Sequence, residues 1–313
     1  MYNPTKPYKN KTIELIQQTG ETPYVSVDKG IVRKKFDYPE YHHTDGIGTK
    51  GIYHWQERSF KNAVIDAMAM NLNDLLMVRS KPYAVIDHLF LPEDDENAIL
   101  ELVGNLVGEC RKRDIAITGG ETAIHDNMEG LELGITMLGF IDNPKPNKFE
   151  AGDVLIGIES NGLHSNGFTK VRKVLRDDCK KYLDDLTKPT VIYSDSLFDL
   201  VEDFDVHGMQ HITGGAYTKF KDLIGDKDIL ITGDYNLKPQ KIFEELSTRG
   251  ITDEEMYKTF NCGIGFAVGI PEQEADELIS YIKPLKSDII GEIVEGNGKI
   301  IIESKFSDKK IEY

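Results

Sequence analysis

Cysteine is scarce in this sequence of 313 residues, which contains only Cys110, Cys179 and Cys262. An odd number of widely separated cysteines, with no Cys-x-x-Cys pair, is not the pattern of a disulfide framework or a zinc knuckle. Long apolar runs are also missing, because no stretch approaches the roughly 18 consecutive apolar residues of a membrane-spanning helix. The polar first residues lack the apolar centre of a leader peptide. We therefore expect a cytoplasmic protein with no membrane partner.

Positive charge is the second scarce property. Lys and Arg total 37 against 53 Asp and Glu, which gives a net charge of −16 with neutral histidine. Nucleic acids and anionic membranes are bound through an excess of cations, so this balance argues against either partner. It does not argue against a small phosphorylated substrate, whose charge a metal ion or a few local lysines, histidines and backbone N–H groups can neutralise.

The sequence does contain an alternation of strand-like and helix-like segments, which is typical of an α/β or mixed α+β protein. At about 150 residues per domain, its length favours two domains. Residues 143–147 (Asn-Pro-Lys-Pro-Asn) are the best linker candidate, because two prolines so close together continue neither a helix nor a central strand. We expect one domain over residues 1–142 and another over residues 148–313.

Hydrophobic periodicity locates the individual elements. Helices are predicted over residues 12–18, 62–78, 96–113, 168–176, around 197–201 and over 272–282. Strands are predicted over residues 83–91, 115–118, 131–141, 153–159, 263–270, 289–294 and 299–303.

The segment at residues 45–50, Asp-Gly-Ile-Gly-Thr-Lys, is the first that suits a phosphorylated ligand. Its glycines let the backbone approach a ligand closely, Asp45 offers hard oxygens to a divalent cation, and Lys50 offers a mobile positive charge. The segment is not a Walker A loop, which reads G-x4-G-K-[ST]. An ordinary Asp-Gly turn is the alternative interpretation.

The predicted helix at residues 62–78 is apolar apart from a few polar side chains. These are Asp66, Asn71, Asn73 and Asp74. Burying an unpaired carboxylate costs several kcal/mol, so acids on such a helix need partners. A metal ion shared with Asp45 would supply one. The alternative is that Asp66 caps a neighbouring loop and Asp74 faces water.

Two further segments lie next to predicted strands. Glu121, in Thr-Gly-Gly-Glu-Thr, follows a short strand, and ligand sites of α/β proteins gather at the carboxyl ends of strands. Residues 160–168, Ser-Asn-Gly-Leu-His-Ser-Asn-Gly-Phe, join a strand to a helix whose start favours an anion. Ser165 or Asn166 is the predicted helix cap. His164 is predicted to donate to a phosphate oxygen, and a structural or solvated histidine is the alternative. Cys262 is interpreted as a packed residue, since nothing nearby would lower its pKa.

Taken together, these motifs resemble those of the aminoimidazole ribonucleotide synthetases, also called phosphoribosylformylglycinamidine cyclo-ligases. The matching segments are DGIGTK (45–50), NLNDLL (71–76), TGGETA (118–123), GDVLIGIESNGLHSNGFTKVRKVL (152–175), DVHGMQHITGGAY (205–217) and EMYKTFNCGIGF (255–266). The resemblance covers roughly residues 45–303, and the segments are specific in combination.

The resemblance implies a two-domain synthetase fold. An N-terminal α/β domain would form a β-barrel that spans a homodimer, followed by a C-terminal α/β domain. The implied cofactors are ATP and Mg²⁺, with a monovalent cation left open. In the implied reaction of de novo purine synthesis, ATP phosphorylates the formamide oxygen of formylglycinamidine ribonucleotide. An amidine nitrogen then attacks the activated carbon and phosphate leaves, giving aminoimidazole ribonucleotide.

The resemblance also implies roles for particular residues. Asp45, Lys50 and His164 would be catalytic. The implied metal ligands are Asp45, Asp74 and Glu121, and the implied nucleotide or phosphate contacts are Gly46, Gly48, Thr49, Asp74, Glu121, Ser165, Asn166 and Gly167. Because ring closure is intramolecular, no covalent nucleophile is required.

Two segments depart from the family pattern. The family has a glycine-rich lid over the nucleotide ahead of DG-x-GTK, whereas residues 20–43 are poor in glycine. The family commonly continues GGETA with Glu-Met-Pro-Gly, whereas residues 124–127 are Ile-His-Asp-Asn. We therefore expect an altered lid and altered substrate contacts. A small-molecule kinase of the same superfamily and a dimeric nucleotide-binding pseudo-enzyme remain alternatives.

Overall fold

The computed structural model describes residues 6–313, so residues 1–5 of the predicted first domain lie outside the described residues. The chain divides into two compact units. Unit 1 holds the described residues up to Leu75 together with Arg79–Pro144, and unit 2 holds Leu76–Val78 together with Lys145–Tyr313. Both mix helices with sheet, which confirms the predicted fold class. The predicted domain bounds, residues 1–142 and 148–313, stay a prediction; in the structure the division falls between Pro144 and Lys145, and Leu76–Val78 count with the second unit.

Unit 1 is built on a four-stranded sheet. Its elements are α1 (Lys9–Gln17), β1 (Val25–Asp28), β2 (Ile31–Lys34), β3 (Glu40–Gly46), α2 (Gly51–Gln56), α3 (Phe60–Met77, whose last two residues belong to unit 2), β4 (Lys81–Leu91), α4 (Glu96–Arg111), β5 (Ala116–Ile124) and β6 (Glu132–Phe140). The sheet order is β3-β6-β4-β5, with β4 parallel to β5 and antiparallel to β6. Helix α3 is apolar nearly all round and is buried accordingly.

The segment that was expected to be an altered lid contains a β-hairpin. Strands β1 and β2 pair antiparallel, and the turn residues Lys29 and Gly30 have φ values of +51° and +79°. Positive φ at both central residues suits the twist of a tight hairpin. Val25 is fully buried and packs with Tyr83 and Phe140, so the base of the hairpin belongs to the core of unit 1.

Unit 2 is built on a larger sheet. Its elements are β7 (Asp153–Glu159), α5 (Phe168–Leu175), α6 (Leu183–Leu186), α7 (Ser194–Leu197), α8 (Leu200–Asp203), β8 (Gly208–His211), α9 (Lys221–Ile224), β9 (Lys227–Ile231), α10 (Lys241–Thr248), α11 (Asp253–Thr259), β10 (Ile264–Pro271), α12 (Glu272–Tyr281), β11 (Ser287–Glu295), β12 (Ile300–Glu303) and β13 (Lys310–Glu312). The order is β13-β12-β9-β11-β7-β10-β8.

The direction of the strands in unit 2 gathers several loops at one edge of the sheet. Strand β10 is antiparallel to β7 and β8, and β11 is antiparallel to β7 and β9. Strands β7, β8 and β9 therefore run the same way, and their carboxyl ends lie at one edge. The loops that follow these three strands therefore meet at that edge.

Across the described part of the chain, no helix combines the length and the apolar character needed to cross a membrane.

Candidate active site

The DGIGTK segment forms a tight turn at the end of β3. Asp45 and Gly46 are the last residues of the strand, and Gly48–Lys50 form a 3-10 turn that leads into α2. A Cβ on Gly46 would lie 2.8 Å from the carbonyl oxygen of Leu133. Gly48 has a φ of +52°, which strains any L side chain. These glycines are therefore required by the turn itself.

Two of the predicted metal ligands, Asp45 and Asp74, act on His43, Asp74 by contact and Asp45 through its charge. His43 Nε2 lies 3.2 Å from Asp74 Oδ2, and His43 Nδ1 lies 3.0 Å from Asn71 Oδ1. Asn71 Nδ2 donates to the carbonyl oxygen of Asp45 at 3.2 Å. The hydrogen bond with Asp74 raises the pKa of His43, and the charges of Asp74 and Asp45 act in the same direction. The local field therefore favours a positive charge, and Asp74 does not simply face water.

The third predicted metal ligand, Glu121, lies on the opposite face of the sheet. Asp45 stands opposite the fully buried Ile135, whereas Glu121 stands opposite the exposed His88. His88 in turn pairs with Gly134, the neighbour of Ile135 in β6. Side chains directly opposite each other share a face, and successive residues alternate. The carboxylates of Asp45 and Glu121 therefore point away from each other.

This placement corrects two predictions about Glu121. The residue does not follow the end of a strand, because β5 continues to Ile124. It also cannot share a metal ion with Asp45 and Asp74 of the same chain; its carboxylate lies 3.4 Å from Lys6 Nζ instead. Among the residues that the structure describes, no group of three or more His, Cys, Asp or Glu is arranged to hold a metal ion.

Lys50 does not carry the mobile charge expected of it, because its side chain is fully buried. Its Nζ lies 2.9 and 2.8 Å from the two carboxylate oxygens of Asp66. His54 Nε2 lies 2.8 Å from Asp66 Oδ2, and His54 Nδ1 lies 2.8 Å from Ser59 Oγ.

The charges in this network are mutually compensated. Burial alone would raise the pKa of Asp66, but the Lys50 ammonium and the His54 hydrogen bond hold it well below its ordinary range. Burial lowers the pKa of His54, so a neutral ring donates from Nε2 to Asp66 and accepts at Nδ1 from Ser59. Lys50 thus ties the DGIGTK turn to helix α3, and Asp66 is neither a metal ligand nor a loop cap.

The predicted phosphate turn joins β7 to α5. Gly167, with a φ of +75°, is the residue that precedes the helix, so neither Ser165 nor Asn166 is the cap. Ser165 Oγ lies 3.1 Å from Thr190 Oγ1, and the Asn166 amide donates to the carbonyl oxygen of Thr259. The turn keeps small residues at the start of a helix, which is the arrangement that an anion requires.

His164 is a packing residue in this structure. It is 1% exposed, its φ is +59°, and its ring centroid lies 6.0 Å from that of Tyr193. Both rings cover Gly265, where a Cβ would come within 2.6 Å of His164 Cε1 and 1.9 Å of Tyr193 Oη. The burial favours the structural interpretation of His164, and its donation to a phosphate oxygen stays a prediction.

Asp87 is a buried acid that the sequence reasoning missed. It stands opposite Ile135, on the same face of the sheet as Asp45, and is 7% exposed. Its carboxylate lies over Gly120, where a Cβ would come within 2.3 Å of Oδ1. Burial raises the pKa of Asp87 to about 6, and the charge of Glu121 adds to this. The sequence did contain a signal for this residue, since Asp87 is a carboxylate within the largely apolar predicted strand at residues 83–91.

Comparison with known proteins places these motifs in one family. The family model described as AIR synthase related protein, N-terminal domain, matches residues 27–141, and the corresponding C-terminal domain model matches residues 150–303. The chain belongs to the AIR synthase related family. The resemblance inferred from the motifs is therefore confirmed.

Individual relatives agree with this assignment. The phosphoribosylformylglycinamidine cyclo-ligase of Saccharolobus solfataricus is 35% identical over 262 residues, covering 82% of this chain and 79% of the relative. The protein of the same name from Methanobrevibacter smithii is 35% identical over 289 residues, covering 86% and 84%. Among solved structures, the hydrogenase maturation protein HypE in complex with ATP has a TM-score of 0.72 at 15% identity, covering 99% of this chain and 95% of HypE. That likeness shows the fold, and the predicted two-domain synthetase fold is confirmed.

Proposed function

We propose that this member of the AIR synthase related family catalyses the ATP-dependent closure of formylglycinamidine ribonucleotide to aminoimidazole ribonucleotide, in the cytoplasm. ATP transfers its terminal phosphoryl group to the formamide oxygen, the amidine nitrogen attacks the activated carbon, and phosphate leaves. The observation that carries the proposal is that Asp74 contacts the half-buried His43 and that the charge of Asp45, two residues further along β3, acts on the same imidazole.

The pair Asp45 and Asp74 suits Mg²⁺. Both offer hard oxygen donors, and the field around them already favours a cation at His43. Mg²⁺ commonly binds through one or two carboxylates together with waters and substrate phosphates, so a closed set of protein ligands is not needed. When bound, the ion would neutralise the charge of the ATP phosphates.

The remaining predicted residues have supporting roles in this proposal. Gly46, Gly48 and Thr49 bring backbone close to the nucleotide, and the turn of Ser165, Asn166 and Gly167 receives a phosphate at the start of α5. Lys50 and His164 act from the interior by fixing the shapes of the two turns. Cys262 is 2% exposed and burial raises its thiol pKa, so it is not a nucleophile in this mechanism.

We also propose that the protein is a homodimer formed by the open face of the sheet of unit 1. Ile86 lies on that face and is 41% exposed, although it is a central-strand residue. Thr136 stands opposite Ile86 on the neighbouring strand and Thr44 stands opposite Thr136, with the two hydroxyl oxygens 2.9 Å apart. A second copy on this face would cover Ile86 and bring Glu121, which shares the face, into the assembly. The dimer-spanning barrel is part of this proposal.

The test is aminoimidazole ribonucleotide formation from formylglycinamidine ribonucleotide and Mg·ATP. We expect Asp45→Asn and Asp74→Asn each to lower kcat/KM by about a hundredfold or more, because charge stabilisation at transferring phosphates is lost. Glu14→Gln is the matched control, since it removes an exposed carboxylate of the same unit, on α1 and outside the segments with a proposed role. Turnover near that of the control in both variants at saturating Mg²⁺ would contradict the metal assignment. ATP binding without any product from the unmodified chain would favour the pseudo-enzyme.

A further inference from the structure

Unit 2 contains a cavity that the proposed mechanism does not use. It has a volume of about 590 Å³ and lies at the edge of the sheet where β7 and β9 end and β11 begins. Its walls come from the end of β7, the loop after β9 and the start of α10. Small-molecule sites commonly have volumes of about 300–1,000 Å³, so the cavity can hold a molecule of nucleotide size.

The charge of this cavity is opposite to that of the chain. Four lysines line it, namely Lys188, Lys238, Lys241 and Lys286, against the single carboxylate of Glu159. Lys286 already compensates that carboxylate, with Nζ 3.5 Å from Oε2 and the backbone N–H 3.1 Å from Oε1. Within the described residues, neither Lys238 nor Lys241 has a carboxylate at ion-pair distance. A local excess of cations in a protein of net charge −16 selects for an anion.

The floor of the cavity is fixed by hydrogen bonds. Ser160 Oγ donates to Asn261 Oδ1 at 2.8 Å and lies 3.2 Å from Gln240 Oε1, and the Gln240 amide donates to the carbonyl oxygen of Ser160. Asn161 Nδ2 donates to the carbonyl oxygen of Pro189 at 2.9 Å, which fixes the orientation of its amide. Asn161 Oδ1 is then a buried acceptor with no hydrogen-bond partner among the described residues. Buried acceptors are normally satisfied, so a ligand hydroxyl that reached Asn161 Oδ1 would complete its hydrogen bonding.

We propose that this cavity binds a phosphorylated pentose of the kind that every ribonucleotide carries. The lysines recognise the phosphate as point charges, and a sugar hydroxyl donates to Asn161 Oδ1 at the floor. The residues that line the cavity do not include the turn at residues 165–167, although both adjoin the end of β7. The pentose phosphate has two sources: the substrate itself, which rests on the proposed function, or a separate nucleotide that regulates the enzyme.

Calorimetric titration of the full chain with ribose 5-phosphate tests the site, with unphosphorylated ribose as the control ligand. We expect Lys238→Ala/Lys241→Ala to raise the Kd for ribose 5-phosphate by about tenfold or more, because two charge-assisted contacts are lost. Lys180→Ala/Lys258→Ala is the matched control, since it removes two exposed lysines of the same unit away from the cavity. All these side chains are exposed, so the variants should keep the wild-type melting temperature.

Three results would overturn the proposal: no binding of ribose 5-phosphate to the unmodified chain, equal affinity for ribose, or an equal loss in both double variants. Steady-state kinetics then separates the sources. If the substrate's own phosphate occupies the cavity, Lys238→Ala/Lys241→Ala raises the KM for the amidine substrate and leaves the KM for ATP unchanged. If a separate nucleotide occupies it, both KM values of the double variant equal those of the unmodified chain. Added ribose 5-phosphate then changes the rate of the unmodified chain but not that of the variant. Binding is measured without turnover, so a catalytically silent chain that still binds would refute only the proposed function.

Discussion

The buried carboxylate of Asp87 lowers the stability of unit 1 when it is ionised. In the unfolded chain this carboxyl has its ordinary pKa of 3.8, whereas in the folded chain burial raises the pKa to about 6. Between these values the native state binds more protons than the unfolded state. The free energy of unfolding therefore falls as the pH rises through this window, and it does not recover above it.

We expect Asp87→Asn to remove this dependence. At pH 8 the variant should be more stable than the wild type by about 2–3 kcal/mol, and the difference should disappear below a pH of about 4. Urea unfolding at a series of pH values measures both limits, with Asp126→Asn as the control for loss of an exposed carboxylate. A gap that stays constant across the pH range would show that the carboxylate is not the cause.

Single residues also show how far sequence rules extend. Cys262 was interpreted as a packed residue, and its 2% exposure confirms this. The cap of α5 was assigned to Ser165 or Asn166 on side-chain preference alone, and this was wrong. Gly167 occupies the position because a Cβ there would lie 2.3 Å from Cε1 of Phe260, a residue almost a hundred positions away. Such a contact is invisible in the local sequence.

A buried ion pair between Lys50 and Asp66 holds the turn between β3 and α2 against helix α3. Removing one partner of such a pair leaves a charge without compensation, which typically costs about 3–5 kcal/mol. We expect Lys50→Met to destabilise the protein by this amount, because His54 alone cannot neutralise Asp66. Adding Asp66→Leu should recover much of the loss.

Guanidinium chloride unfolding of the two single variants and the double variant gives the coupling energy of the pair. Lys61→Met is the control, because it replaces an exposed lysine of helix α3, the helix that carries Asp66. Additive losses in the double variant would contradict the role of the pair as an anchor.

Regular elements were predictable where their pattern was strong. Strand β7 has the predicted bounds of 153–159, because its side chains are buried on both faces and read as a continuous apolar run. Strand β3 was missed, because it is an edge strand whose residues are mostly polar and exposed. Strand β5 was predicted to end at Thr118 but continues through two glycines, since pairing with β4 outweighs the low strand propensity of glycine.

On the scale of the assembly, the exposed face of the sheet of unit 1 predicts the oligomeric state. We expect the purified chain to sediment as a dimer, and Ile86→Glu to sediment as a monomer, because a charge cannot be buried in an apolar interface without a partner. Ile31→Glu, on the hairpin, is the control, since Ile31 is 59% exposed. A monomeric wild type, or an equal effect of both substitutions, would contradict this interface.

The whole molecule also limits what a sequence alone can give. The motifs revealed the family and the two-domain fold, because their spacing is specific in combination. The basic cavity could not be predicted, because its lysines at positions 188, 238, 241 and 286 are far apart in the chain and meet only when the strands of unit 2 pair. An overall charge of −16 conceals such a local reversal.

The last residues of helix α3 have a consequence for synthesis on the ribosome. Leu76 is fully buried in the core of unit 2, and the sulfur of Met77 accepts the backbone N–H of His211 at 3.2 Å. These residues are translated well before β7, so part of that core leaves the exit tunnel ahead of the strands that enclose it. A fragment cut at the proline-rich linker would lack both side chains and would have to collapse around a gap.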